Sequence, residues 1–289
     1  MSIEQEENDF FQEEESSFDI KTLLPKIIRI WPWILGSLLV FMAIAYFYTE
    51  TSVPTYRASG KFFIKESENA MSFFEAPAAM QDNSLGITNE TIILKSRPIA
   101  EATLSQLDFD VEYYEDGTFI KKEIFKKTPI VVEVDWKAPQ LLHGLIRVNW
   151  ENSIEYTLDF DAESYAQYFP DGTSRSAYDL DSQVFKFGET AETPNFKFII
   201  NNTSGQESGT SSFIVRDENY LADFYSFGLI IELVEKNSSI LDISLMVSNR
   251  AKGEAYLNKL METYLELELL EKNEIANRTI NFIDGQVAG

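Results

Sequence analysis

The only histidine in the chain, His143, is the first residue to consider for chemistry. It stands between leucines in "PQLLHGLIRV", and no partner pattern of a catalytic site accompanies it. A histidine in such apolar surroundings is more often packed, or capping a turn, than catalytic. The sequence also lacks a phosphate-binding G-x-x-x-x-G-K-[ST] loop and a G-x-S-x-G nucleophile turn. We therefore interpret His143 as a structural residue.

Two acidic clusters, "YEDGT" (114–118) and "DAESYAQ" (161–167), are the other candidates for chemistry. A calcium loop needs D-x-D-x-D-G and a closing glutamate, and that pattern is absent. The carboxylates of a glycosidase are defined by their separation in space, which a sequence does not give. Acidic clusters in an acidic protein are usually solvated surface. We therefore expect no catalytic, cofactor-binding or metal-binding residues and no enzyme activity in this chain.

The overall charge and composition narrow the possible partners. The chain has 289 residues, a formal net charge of −23 and no cysteine. An acidic surface repels phosphate, so nucleic acid is a poor partner. Without cysteine there is no disulfide framework and no cysteine-bound zinc. The 22 phenylalanines and 13 tyrosines are ample for a folded core, so the body of the protein is not a disordered acidic chain.

One segment near the start, 30–49, carries no charged side chain. A helix of about twenty residues spans roughly 30 Å, the thickness of a bilayer core. The alternative is a secretory signal peptide, for which "AIA" (43–45) is a faint cleavage site. A signal peptide begins with a short basic stretch, whereas a long acidic stretch precedes this segment. We therefore predict an uncleaved transmembrane helix.

Basic residues give the expected orientation of this helix. Three lie close before it and three lie further beyond it: Lys21, Lys26 and Arg29, then Arg57, Lys61 and Lys65. The positive-inside rule favours a cytoplasmic N-terminus in the bacterial inner (plasma) membrane, with residues 50–289 periplasmic or extracytoplasmic.

The residues directly before the transmembrane segment have apolar side chains at helical spacing with basic residues between them. This pattern predicts a short amphipathic helix on the membrane surface, and Pro25 predicts a bend between it and the span. The alternative is that the transmembrane helix simply starts early.

Beyond the span, the pattern predicts a strand and then two helices. Alternation in "TYRASGKFFIKE" (55–66) is typical of a strand, and 87–107 has helical spacing. Between them lies a loop rich in small residues. Ser96 is placed to cap the second helix, and Pro98 falls in its first turn, where a missing N–H costs nothing.

From 109 to about 215 the pattern changes to short strands. Asp116 and Gly117 predict a hairpin turn, and further short strands follow at regular spacing. We interpret "YFPDGTSRSAYDL" (168–180) as an exposed hairpin tip rather than a binding loop, because of its turn-forming composition. This spacing of strands indicates a β-rich, sandwich-like module.

The last part of the chain predicts a short helix, two strands and a long helix. The strands flanking "EKNSS" (235–239) are almost continuously apolar, which predicts that both are fully buried. Glu268 and Lys272 form a favourable pair one turn apart in the long helix. One side of that helix is predicted to be apolar and consists of Ala255, Leu260, Tyr264, Leu267 and Leu270.

The expected fold class is α+β: a membrane-anchored α/β base with a β-rich (sandwich-like) insert and a long C-terminal helix. The predicted division is an acidic cytoplasmic tail with a juxtamembrane helix (1–29), a transmembrane helix (30–49), the first part of the base (50–108), the insert (109–215), and the second part of the base with the start of the long helix (216–289).

Four stretches of the chain, in the order in which they follow one another, resemble the N-terminal part of the polysaccharide co-polymerase, or chain-length determinant, family. The most similar branch is the one that ends in a cytoplasmic tyrosine autokinase. The four stretches are 18–48, "PTYRASGKFFIK" (54–65), "ETIILKSRPIAEATLSQL" (90–107) with its Leu-Lys-Ser-Arg-Pro core at 94–98, and 238–284. They cover somewhat under half of the chain, and the β-rich middle matches less well.

The resemblance implies an assembly role without catalysis or cofactors. Subunits of this family form a homo-oligomeric ring on the outer face of the inner membrane. The ring engages the polysaccharide polymerase and its growing glycan, and it sets the length or export of O-antigen, capsule or exopolysaccharide. Membrane lipid is the remaining implied partner. The acidic surface is expected not to bind an anionic glycan tightly.

Family members continue past the point where this chain stops, which predicts either a fragment or a remainder on another chain. In the family the long helix returns to the membrane and enters a second span, and in the autokinase branch a phosphate-loop kinase domain and a tyrosine tail follow. None of these residues is present in this sequence. Two alternatives remain open. One is the extracytoplasmic sensing half of a membrane tyrosine autokinase, and the other is an unrelated single-span anchor that presents a β-sandwich binding domain.

Overall fold

The computed structural model describes residues 20–50, 52, 54–63, 90–116, 120–161, 164–178, 180–235 and 240–287. The acidic tail (1–19) and the small-residue loop within 64–89 lie outside the described residues. The helices are α1 (Ile20–Glu50), α2 (Arg97–Leu104), α3 (Glu218–Gly228) and α4 (Arg250–Val287). The strands in the first half are β1 (Tyr56–Phe63), β2 (Val111–Asp116), β3 (Lys121–Ile124), β4 (Ile130–Val134), β5 (Gln140–Leu142), β6 (Ile146–Trp150) and β7 (Glu155–Phe160). Those in the second half are β8 (Ser164–Tyr168), β9 (Ser174–Tyr178), β10 (Gln183–Lys186), β11 (Thr190–Glu192), β12 (Lys197–Asn202), β13 (Gly209–Val215), β14 (Leu229–Leu233) and β15 (Ile240–Val247).

The chain divides into two compact units, 1–52 and 53–289. In the first unit, α1 is one uninterrupted helix, and Ile30–Glu50 is long and apolar enough to cross a membrane. The two helical pieces predicted around Pro25 are not observed. A proline this close to the start of a helix removes a single backbone hydrogen bond, so the helix continues through it. The alternative of an early helix start is the one that the structure supports.

The second unit contains a three-stranded antiparallel sheet, which we call the base sheet, in the order β1-β15-β14. Strand β1 pairs with β15 over its whole length, from Tyr56 opposite Val247 to Phe63 opposite Ile240. Helices α2, α3 and α4 contribute to one hydrophobic cluster with this sheet. Because β1 follows the span and β15 precedes α4, this pairing joins segments that lie far apart in the sequence.

A second hydrophobic cluster, which we call the insert core, is formed by the strands between α2 and α3. A six-stranded antiparallel sheet in the order β10-β7-β6-β13-β2-β3 shares this core with two three-stranded sheets, β11-β12-β4 and β5-β8-β9. Alternating apolar residues along the strands form this core. In β6, for example, every second residue is buried: Ile146, Val148 and Trp150. Phe198 of β12 meets Phe213 of β13 edge to face, with ring centroids 5.6 Å apart, so two sheets pack on one another.

Two hairpins agree with the sequence predictions. Strands β2 and β3 pair from Tyr113 opposite Ile124 to Asp116 opposite Lys121, and their turn at 117–119 lies outside the described residues. Strands β8 and β9 pair around an exposed tip in which the Asp171 carboxylate accepts bonds from the Thr173 N–H and hydroxyl. The strands of this second hairpin were not themselves predicted, because their alternation is too polar to stand out.

Other predictions about burial are wrong. Strand β14 lies at an edge of the base sheet and is mostly exposed, because only one face of that sheet is covered. In α4 the large apolar residues that are buried are Tyr256, Leu257, Leu260 and Tyr264, whereas Leu267 and Leu270 are exposed. The predicted apolar side therefore ends at Tyr264, where the sheet beneath the helix ends. The predicted pair of Glu268 and Lys272 is present.

Candidate functional site

The Leu-Lys-Ser-Arg-Pro core at 94–98 has a structural explanation residue by residue. Leu94 is buried in the base, and Pro98 lies in the first turn of α2. Ser96 occupies the N-cap position, but its side chain makes no capping bond, which corrects the predicted role. Arg97 instead fastens α2 to α3: its two terminal nitrogens donate to Asp223 Oδ1 (2.8 Å) and Asn219 Oδ1 (2.5 Å).

Aromatic side chains join the helices to the base sheet. Tyr225 of α3 and Tyr256 of α4 lie with ring centroids 4.2 Å apart. Phe62 of β1 meets Tyr264 of α4 edge to face at 5.6 Å. The Tyr264 hydroxyl also donates a short hydrogen bond to Glu90, and burial together with this bond raises the pKa of Tyr264. The start of α4 is thus fixed to the sheet and to the helical turn at 90–94.

A charged cluster, which we call the junction cluster, joins the base to the insert. It consists of Glu112 (β2), Glu123 (β3), Arg216 and Lys252 (α4). Lys252 Nζ lies 2.8 Å from Glu123 Oε1 and 3.4 Å from Glu112 Oε1, and Arg216 Nε lies 2.9 Å from Glu112 Oε2. The Lys252 and Glu123 side chains are only 6% and 7% exposed. Two positive and two negative groups therefore balance each other away from solvent.

The electrostatics of Glu112 follow from its position between two cations. Burial opposes ionisation of its carboxyl group. The charges of Lys252 and Arg216, with the hydrogen bonds from Arg216 and the Tyr114 hydroxyl, outweigh burial and hold the pKa of Glu112 below its usual value. Glu112 is thus ionised in the folded protein at neutral pH.

His143 lies at the edge of the junction cluster, in a turn where its φ is +64°. Its Nε2 lies 3.2 Å from Asp217 Oδ1, its Nδ1 lies 3.3 Å from an Arg216 nitrogen, and its ring lies 4.9 Å from that of Tyr220. Burial lowers the pKa of His143, and the neighbouring Arg216 lowers it further, against the opposing charge of Asp217. The ring therefore packs against α3 and its N-cap residue Asp217.

Described residues of the two acidic clusters of the sequence come close at Lys121, which is paired with Asp161 and lies opposite Asp116 in the β2–β3 register. Asp161 is paired with Lys121 (3.0 Å) and Arg147 (2.8 Å), while Asp116 lies in the β2–β3 hairpin. Among the described residues, no group of three or more acidic or histidine side chains is arranged to hold a metal ion. The junction cluster was not predicted from the sequence, because Lys252 lies 140 residues from Glu112 and 129 residues from Glu123.

Fold and geometry define an α+β domain in which a candidate membrane helix leads into a base closed by a later strand. A family-model comparison matches residues 16–107 to Wzz, the chain length determinant protein. This match contains α1, β1 and the Leu-Lys-Ser-Arg-Pro segment. Over these residues the chain is similar to the chain-length determinant, or polysaccharide co-polymerase, family, which confirms the resemblance predicted from the sequence.

Curated relatives agree with this assignment. The tyrosine-protein kinases wzc of Salmonella typhimurium and Salmonella typhi are each 20% identical over 280 residues, which is 93% of this chain and 36% of the relative. The chain thus spans about a third of the length of these relatives. The family match also argues against the alternative of an unrelated single-span anchor.

Among solved structures, two crystal forms of Xanthomonas campestris FlgL are matched at 9% identity. One match covers 71% of this chain and 84% of FlgL with a TM-score of 0.17, and the other covers 64% and 71% with a TM-score of 0.18. These scores are too low to indicate a common fold.

Proposed function

We propose that this chain is a non-catalytic inner-membrane component that controls the chain length of a surface polysaccharide. The observation that supports the proposal most strongly is the family match over residues 16–107. Strand β1 lies within the matched segment and pairs residue for residue with β15. The matched segment is therefore an integral part of the folded base. Its activity needs no catalytic residue, metal or cofactor, because it acts through position and subunit contacts.

In this proposal α1 is the membrane anchor. Residues 30–50 of α1 are all exposed, and their apolar side chains are suited to contact with lipid. The distribution of basic residues supports a cytoplasmic N-terminus, with residues 50–289 outside the cytosol. The base is then on the side of the membrane where polymerisation takes place.

The base and insert are proposed as distinct parts, 50–108 with 216–289 and 109–215. Each has its own hydrophobic cluster, which supports this division. The described base also leaves large apolar side chains uncovered, and such surface supports a homo-oligomeric ring that engages the polymerase and its glycan. Exposed examples are Phe227, Ile230, Leu233 and Met246.

A second candidate is the extracytoplasmic sensing half of a membrane tyrosine autokinase. The similarity of nearly the whole chain to the two Salmonella kinases favours it. The DNA downstream of the codon for residue 289 distinguishes the two candidates, because a sensing half requires a second span and a phosphate-loop domain in the same or the next reading frame. Sequencing this region decides between them.

The proposed function is tested by deleting the gene and separating the surface polysaccharide by size on a gel. We expect the length distribution to change on deletion and to return when the full chain is supplied from a plasmid. A distribution that is the same in the wild type, the deletion strain and the complemented strain would refute the proposal.

A further inference from the structure

A cleft of about 490 Å³ lies where the base meets the insert, and we call it the seam cleft. Its base side is formed by the end of α2 and the start of α3, and its insert side by residues on β8 and next to β2 and β4. The cavity is large enough for a small organic ligand of one or two rings. No role described above uses it.

The insert side of the seam cleft carries two half-buried aromatic rings. Trp136 and Tyr168 lie with centroids 5.7 Å apart and their planes at 80°. The Trp136 indole N–H donates to Asp110 Oδ2 at 3.3 Å, which fixes the orientation of the indole. Rigid aromatic rings suit pyranose sugars, because the slightly positive C–H groups of a sugar ring pack on the negative face of an aromatic ring.

The polar groups of the seam cleft also suit hydroxylated ligands. Asp108 and Glu218 are exposed on its rim, where their carboxylates are available as hydrogen-bond acceptors for a ligand. Asn219 is held through its Oδ1 by Arg97, which leaves its amide nitrogen as an oriented donor. Asp110 lies deeper, and burial raises its pKa against the opposing hydrogen bond from Trp136. Carboxylates and amides arranged beside aromatic rings are the groups that fix the hydroxyls of a sugar.

The charge of the seam cleft decides which sugars fit. None of the described residues that line it is a lysine or an arginine, whereas four are acidic. A uronic acid or phosphorylated sugar would be repelled. A second cleft, of about 610 Å³ beside Lys126 and Lys127, has a different character, since its indole, Trp150, is 3% exposed and cannot stack on a ligand.

We propose that the seam cleft binds neutral hexose units of a polysaccharide, with the two aromatic rings as the platform and the rim carboxylates as hydrogen-bond acceptors. That the ligand is the growing glycan rests on the proposed function, whereas the binding chemistry does not. A sugar bound there touches base and insert together, because its lining comes from both.

The test uses the full chain in lipid nanodiscs, free of glycoside detergents, and measures binding by saturation-transfer NMR. The probes are neutral tetrasaccharides of glucose, galactose and N-acetylglucosamine, with tetragalacturonate as the anionic counterpart. We expect at least one neutral probe to bind and tetragalacturonate not to bind. The double variant Asp108→Ala, Glu218→Ala should raise the Kd at least about tenfold, since hydrogen bonds to charged groups are lost.

The matched control is Glu189→Ala, Glu207→Ala, which removes two exposed carboxylates of the insert outside the cleft and should bind like the wild type. Trp136→Leu keeps an apolar side chain without the ring and should also abolish binding, with its melting curve recorded to verify folding. The proposal is overturned if no neutral probe binds, if tetragalacturonate binds more tightly, or if the rim variant binds like the control. These results are independent of the polysaccharide gel, so each proposal can fail alone.

Discussion

At the scale of single residues, Lys252 is the group on which the described fold depends most visibly. An ammonium group that is almost fully buried is tolerated because two carboxylates lie within 3.4 Å of it. Burying a charge pair is not in itself a strong stabilising factor, since desolvation cancels much of the attraction. Removing only one partner is costly, however, because the remaining charges stay buried without compensation.

Lys252→Met should therefore lower the free energy of unfolding by about 3–5 kcal/mol. The thioether side chain has a similar length, so the loss reports the buried Glu123 carboxylate left without its cation, and the weakened compensation of Glu112, rather than a cavity. Lys272→Met on the same helix is the matched control, because its pair with Glu268 is exposed, and it should change stability by no more than about 0.5 kcal/mol. Urea unfolding in nanodiscs, followed by near-ultraviolet circular dichroism, measures both.

A rescue variant separates charge from packing in this prediction. Adding Glu123→Gln to Lys252→Met removes the carboxylate that has lost its cation, while Glu112 keeps its pair with Arg216, and should recover part of the lost stability. If this double variant is less stable than Lys252→Met, or if Lys252→Met unfolds like the control, the electrostatic account of the junction cluster is wrong.

The depressed pKa of Glu112 predicts how stability depends on pH. A carboxyl group whose pKa is lower in the folded state stabilises the fold above its unfolded pKa of about 4.3, and this contribution is lost as the pH falls through the folded value. The free energy of unfolding should thus decrease on acidification below about pH 5. In Glu112→Gln the decrease should be shallower, and equal slopes in the two proteins would contradict the assignment.

At the scale of elements, Gly253 explains how closely α4 approaches the base sheet. A Cβ at this position would lie 2.7 Å from Val247 Cγ2 and 2.8 Å from the Ala58 Cβ, which is too close for either neighbour to remain in place. Ala58 belongs to β1 and Val247 to β15. The absence of a side chain at Gly253 thus lets the helix rest on the two paired strands.

Gly253→Ala should destabilise the protein by about 1–3 kcal/mol through overpacking, although alanine is the better helix former. Gly285→Ala is the matched control in the same helix, because nothing lies within 4 Å of its added Cβ. It should leave the free energy of unfolding unchanged or raise it by up to about 1 kcal/mol. Thermal unfolding of the two variants checks the difference in sign, and equal effects would mean that close packing at Gly253 is unimportant.

Sequence patterns predicted the positions of helices and strands better than they predicted how deeply each element is buried. The long helix α4 and the inward alternation of β6 are local features, so spacing alone identifies them. The exposure of β14 is not local, since it depends on the strand having a neighbour on one side only. The polar strands β8 and β9 were missed because alternation of apolar and polar residues is weak in them.

The candidate sites were predicted less well for the same physical reason. His143 was singled out by its residue type, whereas its partners Asp217 and Arg216 follow it by more than seventy residues. Lys252 had no local signal at all, because a lysine in a helix usually faces solvent. Trp136 and Tyr168 come together through the pairing of β5 with β8, in which Gln140 lies opposite Tyr168. Sites built from long-range contacts need the fold before they can be recognised.

At the scale of the whole molecule, the proposed function depends on the order of the helices and strands along the chain. The candidate span precedes β1, the insert lies between α2 and α3, and α4 follows β15. The helices α2 and α3, which flank the insert, pack in the same hydrophobic cluster as β1 and β15, so both ends of the insert are attached to the base. The proposed control of chain length, by position rather than catalysis, requires a base tethered on the side of the membrane where the glycan grows.

The measurement that tests this claim most directly is protease treatment of intact spheroplasts that express the full chain with different epitope tags at its two ends. We predict that the C-terminal tag and the body of the chain are digested, while a small fragment with the N-terminal tag and α1 stays protected in the membrane. Inverted membrane vesicles should give the opposite pattern. A body that resists protease in spheroplasts, or a chain released without its first fifty residues, would contradict the account.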